Sequence, residues 1–265
     1  WDHINVFPTI DDYNKQFSKF IQLIEKDGIL VYSKNDQVLE KIVEQEMRPD
    51  LKTIPYGVAD QMIKEGVTFV KKGEKHIPLK VFGRHNLMNI SGAQLVCNAI
   101  GLSDDIFYEA ISTFQGTANR LELIEKNDRL FLYKDFAHAP SKVKATVNAV
   151  KEQYPDYELI ACLELHTFSS LNKAFLAQYK DSFQLADKGC VYYNPHTVEM
   201  KKLESISSND IKEAFGKDNL EVFTDSLEMK EWLRKTVKVT KVVLMMSSGN
   251  FNGIDLKKLF RSLKF

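Results

Sequence analysis

Cysteine is scarce in this chain. Cys97, Cys162 and Cys190 are odd in number, far apart and without CxxC spacing. That excludes a disulfide framework and a zinc ribbon, and a reducing cytoplasm is the expected compartment. Neither sign of charge is in excess, because 36 basic residues meet 36 acidic ones. A chain of zero net charge exerts no global pull on nucleic acid or on an anionic membrane, so neither partner is expected and any anionic ligand must be held by local groups. Long apolar runs are missing too. VVLMM at 242–246 is far too short to span a bilayer, so no membrane insertion is expected, and no signal-peptide pattern opens the chain. The first residue is Trp1, directly in a motif-like WDH, so a piece of something longer is expected.

What is present is an ordinary globular composition, 44% hydrophobic and 27% charged over 265 residues. That suits one large or two modest domains. DDYNKQFSKFIQLIEKDG reads as a helix with Asp11 or Asp12 as cap and Gly28 as its end. ILVY (29–32) reads as a buried strand, QVLEKIVEQEM as a second helix, and 67–82 as a hairpin. Two helices follow, about 86–100 and 103–115, the second capped by Ser103. After Gly116 the rhythm changes. LELI and LFLY pair around a turn. Helices at about 140–153, 171–185, 208–215 and 226–236 then alternate with strands ELIACLEL, CVYYN, LEVF and KVVLMM, and a last helix starts near Ile254. Strands alternating with helices predict a parallel sheet covered on both faces. The expected fold is α/β, with a domain boundary at 117/118 and a Rossmann-like second domain.

Polar residues cluster at the junctions between elements. Asp2 and His3 open the chain. His85, Asn86 and Asn89 stand where an apolar helix begins. Arg120 lies at the boundary. Asp135 and His138 follow a strand in KDFAHAPS, Glu164 and His166 follow another in LELHTFSS, and Ser247, Ser248 and Asn250 follow the last in MMSSGNFNG. Singly, each has a plain structural explanation: Asn86 as a helix cap, Asn89 facing solvent, Arg120 in a surface ion pair, Asp135 in a turn. Jointly they match a ligand. A strand-end Asp accepts from ribose hydroxyls, and an Asn carboxamide offers the donor and acceptor that fit adenine. An Arg pairs with phosphate, and a neutral His binds a divalent metal. The set describes an adenine-nucleotide site between two domains.

WDHINVFPT, GRHNLMNISGA, GTANRLELI, KDFAHAPSKVKAT and MSSGNFNGI occur in the order found in the Mur ligases, and the chain resembles that family along essentially its whole length. The resemblance implies an ATP-dependent amide-bond ligase of peptidoglycan synthesis or recycling. Such an enzyme activates the carboxylate of UDP-N-acetylmuramate as an acyl phosphate, and an amine then attacks it. The implied architecture is the second half of a P-loop-type central ATPase domain (1–117) followed by a Rossmann-like carboxy-terminal domain (118–265). ATP and Mg²⁺ are the implied cofactors. UDP-N-acetylmuramate and a tripeptide, L-alanyl-γ-D-glutamyl-meso-diaminopimelate, are the implied partners. By the same resemblance His3 is a Mg²⁺ ligand, and His85, Asn86 and Asn89 bind adenine, Asn89 foremost. Arg120 reaches the ATP phosphates and Asp135 the ribose. His138 faces the incoming amine, and His166, Ser169, Ser248 and Asn250 line the acceptor pocket. No GxxxxGK[ST] occurs, so the chain alone is expected not to complete the reaction.

Three departures bear on the acceptor. Asn119 stands where many relatives carry Arg or His, Ala139 replaces a second His, and the LHTFSS loop has no arginine to hold an acceptor carboxylate. The alternatives are therefore L-alanine as acceptor, glutamate as in folylpolyglutamate synthase, and a non-catalytic nucleotide- or peptide-binding module. An unrelated Rossmann-like enzyme is disfavoured because no GxGxxG follows a strand.

Overall fold

The computed structural model describes residues 6–238 and 241–263. The chain divides into two compact units, Trp1–Gln115 and Gly116–Phe265.

In the first unit the opening helix α1 (Ile10–Gln22) is capped by Thr9, whose Oγ1 accepts from the Asp12 amide at 3.1 Å. Asp11 and Asp12 therefore sit inside the first turn, where their charge favours the helix dipole. The helix stops at Gln22, well before Gly28. A Cβ at Gly28 would lie 2.5 Å from Ile24 Cγ2, so its lack of a side chain serves a tight turn into β1 (Ile29–Ser33). Helix α2 (Gln37–Gln45) follows, capped by Asp36. A strand unforeseen in the sequence, β2 (Lys52–Tyr56), pairs parallel to β1. Pro55 within it masks the strand signal, because proline removes a ladder donor. Ile21, Leu30, Ile42, Val43 and Leu51 form the core of this part.

Strands β3 (Gln61–Lys64), β4 (Val67–Lys72) and β5 (Lys75–Leu79) form an antiparallel sheet, one strand more than the expected hairpin. Helices α3 (Arg84–Ala99) and α4 (Asp104–Thr113) complete the unit. Val70, Leu79, Leu87, Ile90 and Phe107 pack among these elements. Ser103 caps α4 as expected, accepting from the Ile106 amide.

The second unit is built on one six-stranded sheet. Its strands are β6 (Glu122–Lys126), β7 (Leu130–Asp135), β8 (Glu158–Leu165), β9 (Lys188–Tyr193), β10 (Leu220–Phe223) and β11 (Lys241–Met246), in the order β10-β9-β8-β11-β7-β6. Only β6 runs antiparallel. The near-continuous apolar runs of β8, β9 and β11 are buried, β11 throughout and β8 and β9 from their second residue on, as two covered faces require.

Helix α8 (Ser226–Thr236) and the last helix α9 (Leu256–Ser262) cover one face, where Leu132, Ile160, Cys162, Cys190, Met229, Leu233 and Leu259 share a core. Alternate residues of the same strands face the other side. Phe131 packs there on Tyr154 of α5 (Pro140–Gln153), and Gly189 lies against Phe183. The expected helix at 171–185 is a shorter 3-10 segment, Lys173–Tyr179. Helix α6 (Pro195–Met200) was not foreseen, and α7 (Ser208–Phe215) carries a complete capping box.

This winding positions the site. Neighbouring strands β8 and β11 send their following segments to opposite faces of the sheet, and ligands of open α/β sheets bind at the carboxyl edge of such a switch point. No helix among the described residues is long and apolar enough to cross a membrane.

Candidate functional site

The carboxyl edge gathers three polar strand ends. Met246 of β11 is level with Asp135 of β7 on one side and Leu163 of β8 on the other, so Asp135, Glu164 and Ser247 are near neighbours.

Asp135 is 5% exposed. Its Oδ2 accepts the Leu121 amide and its Oδ1 the Ala137 amide, both at 2.6 Å, while its carbonyl accepts the Ser247 amide at 3.0 Å. Two charge-assisted bonds compensate the burial of an ionised carboxylate. The group expected to hold a ribose thus also ties the 117–121 loop to the strand end.

Arg120 rides on that loop. Asn119 (φ 59°) and Leu121 (φ 46°) flank it in the left-handed region, which disfavours residues other than glycine. The Asn119 amide is held by Glu122 Oε2 at 2.7 Å. The Arg120 guanidinium lies over the Phe136 ring, 5.1 Å from its centroid, and pairs with no carboxylate among the described residues. The surface ion pair that would have explained it plainly is not formed among the described residues.

His138 is 7% exposed, with Nδ1 2.8 Å from the Phe136 carbonyl and its ring edge-on to Phe136 at 5.3 Å. A carbonyl only accepts, so Nδ1 carries the proton and the lone pair of the neutral ring is on Nε2. The Tyr179 hydroxyl donates to the His138 carbonyl and fixes that turn from the 3-10 segment.

A second cluster joins the ends of β8 and β11. Glu164 is 4% exposed, and its Oε2 accepts from the Ser247 hydroxyl and, at 2.7 Å, from the Phe251 amide. Ser247 Oγ in turn accepts the Gly249 amide at 2.6 Å. His166 is exposed, with Nδ1 3.9 Å from Glu164 Oε1. The Ser248 hydroxyl oxygen is buried without a hydrogen-bond partner among the described residues. Asn250 is exposed and uses Oδ1 to accept from the Gly253 amide at 3.0 Å. Ser169 is buried and so withdrawn from the surface. Neither loop, 166–172 or 247–255, contains Lys or Arg.

The remaining candidates lie in the first unit. Helix α3 begins at Arg84, with Gly83 (φ 90°) at its cap position and no side-chain cap. The plain explanation of Asn86 as a helix cap is therefore not met. It lies within the first turn and donates Nδ2 to the Phe82 carbonyl at 2.8 Å. Asn89, three residues on, is exposed and its side chain makes no hydrogen bond among the described residues, while His85 is half-buried. His3 lies outside the described residues, and among those described no group of three His, Cys, Asp or Glu side chains gathers to hold a metal ion. Phe136, Glu122 and Tyr179 escaped the sequence reading. Phe136 stands within the quoted DFAH, but nothing local signals that its ring touches Arg120.

A mostly parallel sheet with helices on both faces and polar loops at its carboxyl switch point is a Rossmann-like arrangement. Two family descriptions match the chain, "Mur ligase middle domain" over residues 1–97 and "Mur ligase, glutamate ligase domain" over 119–249. The chain belongs to the Mur ligase family.

Among similar proteins, the UDP-N-acetylmuramate–L-alanine ligase of Caldanaerobacter subterraneus subsp. tengcongensis is 27% identical over 99% of this chain and 59% of its own length. The MurF ligase of Thermotoga maritima, solved with ADP, superposes with TM-score 0.72 and 16% identity, over 97% of this chain and 58% of that one. The murein peptide ligase of Psychrobacter arcticus gives TM-score 0.60 and 20% identity, over 94% and 54%. The chain spans a little over half the length of these proteins.

Proposed function

We propose that this chain is the part of an ATP-dependent ligase that grips the nucleotide and receives the acceptor amine, in an enzyme that joins a peptide to the carboxylate of UDP-N-acetylmuramate. The observation that carries the reading is Arg120, a guanidinium with no carboxylate partner among the described residues, held beside Asp135 and His138 at a sheet's carboxyl edge. A guanidinium laid on a ring face suits bidentate contact with phosphate oxygens.

ATP, when bound, supplies the phosphoryl group that makes the muramate carboxylate an acyl phosphate. Asn86 and Asn89 are assigned to adenine, with His85 beside them. Asp135 is assigned to the ribose hydroxyls and Arg120 to the charge that develops on the transferring group. His138 accepts the ammonium proton of the acceptor at Nε2, which frees the amine for attack. Mg²⁺ remains part of the family expectation only, because the described residues offer no ligand cluster for it.

The walls of the proposed acceptor pocket favour the peptide. His166, Ser248 and Asn250 stand in loops without a cation, and Glu164 lies beneath them. That lining suits an amine whose neighbouring carbonyl is already an amide, and is poorly matched to a free α-carboxylate. L-alanine is the second reading, favoured by the names of the curated relatives.

The test uses the polypeptide of the full reading frame that contains this chain. ADP release is followed with UDP-N-acetylmuramate and, separately, the tripeptide, L-alanine or glutamate. Release with the tripeptide alone is expected. Release with L-alanine alone would replace the peptide reading, and no release with any acceptor would leave a binding module.

A further inference from the structure

Phe136 touches both functional groups of the β7 edge. Its face carries the Arg120 guanidinium at 5.1 Å, and its edge meets the His138 ring at 5.3 Å and 89°. Its carbonyl also takes the His138 Nδ1 proton at 2.8 Å. Arg120 has no ion pair among the described residues to order it, and its long side chain is entropically costly to fix. The backbone beneath it is already pinned, with Asn119 and Leu121 at positive φ and their amides donating to the Glu122 and Asp135 carboxylates. What the backbone leaves undecided is the direction of the guanidinium. A ring face attracts a cation electrostatically, and that attraction sets the direction.

We propose that Phe136 is a positioning residue. It holds the Arg120 guanidinium and the His138 imidazole at one fixed separation before any ligand arrives, so that the phosphate-binding cation and the proton-accepting ring act on the same substrate. The functional consequence rests on the nucleotide reading above, whereas the positional claim stands on the geometry alone.

The resonances are read on the 265-residue chain, and ADP affinity on the polypeptide of the full reading frame that contains it. Protons over an aromatic face are shifted upfield, so the side-chain resonances of Arg120 report the stacking directly. Upfield Arg120 signals are expected in the parent and in Phe136→Tyr, and are lost in Phe136→Leu. ADP affinity is expected to fall about two- to fivefold in Phe136→Leu, matching a cation–π contact at an exposed site, and to be restored in Phe136→Tyr. In an Arg120→Ala background the Leu substitution is expected to have no further effect.

Unshifted Arg120 signals in the parent would overturn the proposal. So would an equal loss of ADP affinity from Phe136→Leu with and without Arg120, because that pattern marks a merely structural ring. If the parent binds no ADP, the nucleotide reading falls, and the resonances still decide whether Phe136 holds Arg120.

Discussion

Replacing Gly249 by alanine tests the second cluster with one methyl group. Gly249 does not have a positive φ, so alanine brings no backbone penalty and the effect is steric. The new Cβ would stand 2.8 Å from Glu164 Oε2, 3.2 Å from Glu164 Cδ and 3.1 Å from His166 Cγ. Carbon contacts are comfortable near 3.5 Å, so the loop must move by roughly half an ångström or more. Glu164 cannot yield easily. Its Oε2 is buried and already takes the Ser247 hydroxyl and the Phe251 amide. Half an ångström would stretch the 2.7 Å bond from Phe251 to the limit of a useful hydrogen bond.

Overpacking of this kind costs about 1–3 kcal/mol. For a unit of this size that lowers the melting temperature by about 2–12 °C. Thermal melts and hydrogen exchange at the Phe251 amide measure it, and the KM for acceptor in the full-length enzyme should rise more than kcat falls. A variant that melts within about 1 °C of the parent, with Phe251 equally protected, would refute the account of how Glu164 holds this loop.

Two further predictions concern the opposite edge of the same sheet. Lys241 is 2% exposed, with its ammonium 2.5 Å from Glu158 Oε2, while Lys188 lies 3.2 Å from Oε1. Glu158→Gln strands a buried ammonium and should cost about 3–5 kcal/mol, whereas Lys241→Met leaves Glu158 paired with Lys188 and should cost about 1 kcal/mol or less; urea unfolding giving equal losses would contradict the asymmetry. Burial pushes the Glu158 and Asp187 carboxyls up, but hydrogen bonds from Lys241 and Lys188 to the first, and from the Leu159 amide and Lys151 to the second, outweigh it and hold both below the usual range. A carboxyl depressed in the folded state stabilises it at pH values above its unfolded pKa, so the urea midpoint should hold from pH 7 to about pH 5 and fall as acid protonates the folded groups below about pH 4. Glu158→Gln and Asp187→Asn should each flatten that acid limb, and an unchanged acid limb in both would remove these carboxyls as its cause.

The sequence by itself determined the architecture of the second unit. Apolar runs such as ELIACLEL and KVVLMM, alternating with capped helices, have few other ways to bury themselves than a parallel sheet covered on both faces. That architecture also dictates where ligands go, so Asp135, His138, His166 and Ser248 were legible as edge residues from their positions after strands. Local chemistry likewise announced the Ser103 cap, and Pro140 in the first turn of α5. The first unit was read less fully, because Pro55 hides β2 and the added strand β3 is only four residues long.

Only the tertiary structure decided how the polar residues share their work. That Asp135 spends two acceptor positions on the Leu121 and Ala137 amides depends on a loop folding back to the strand end. That Arg120 meets a ring instead of a carboxylate depends on the same fold-back. Glu164 reaches Phe251 across 87 residues of sequence, and Tyr179 reaches His138 across 41. Periodicity and capping are properties of neighbours along the chain and can be read there. A hydrogen bond between distant residues exists only once the sheet has set their separation, so the fold could be foreseen, and the wiring of its edge could not.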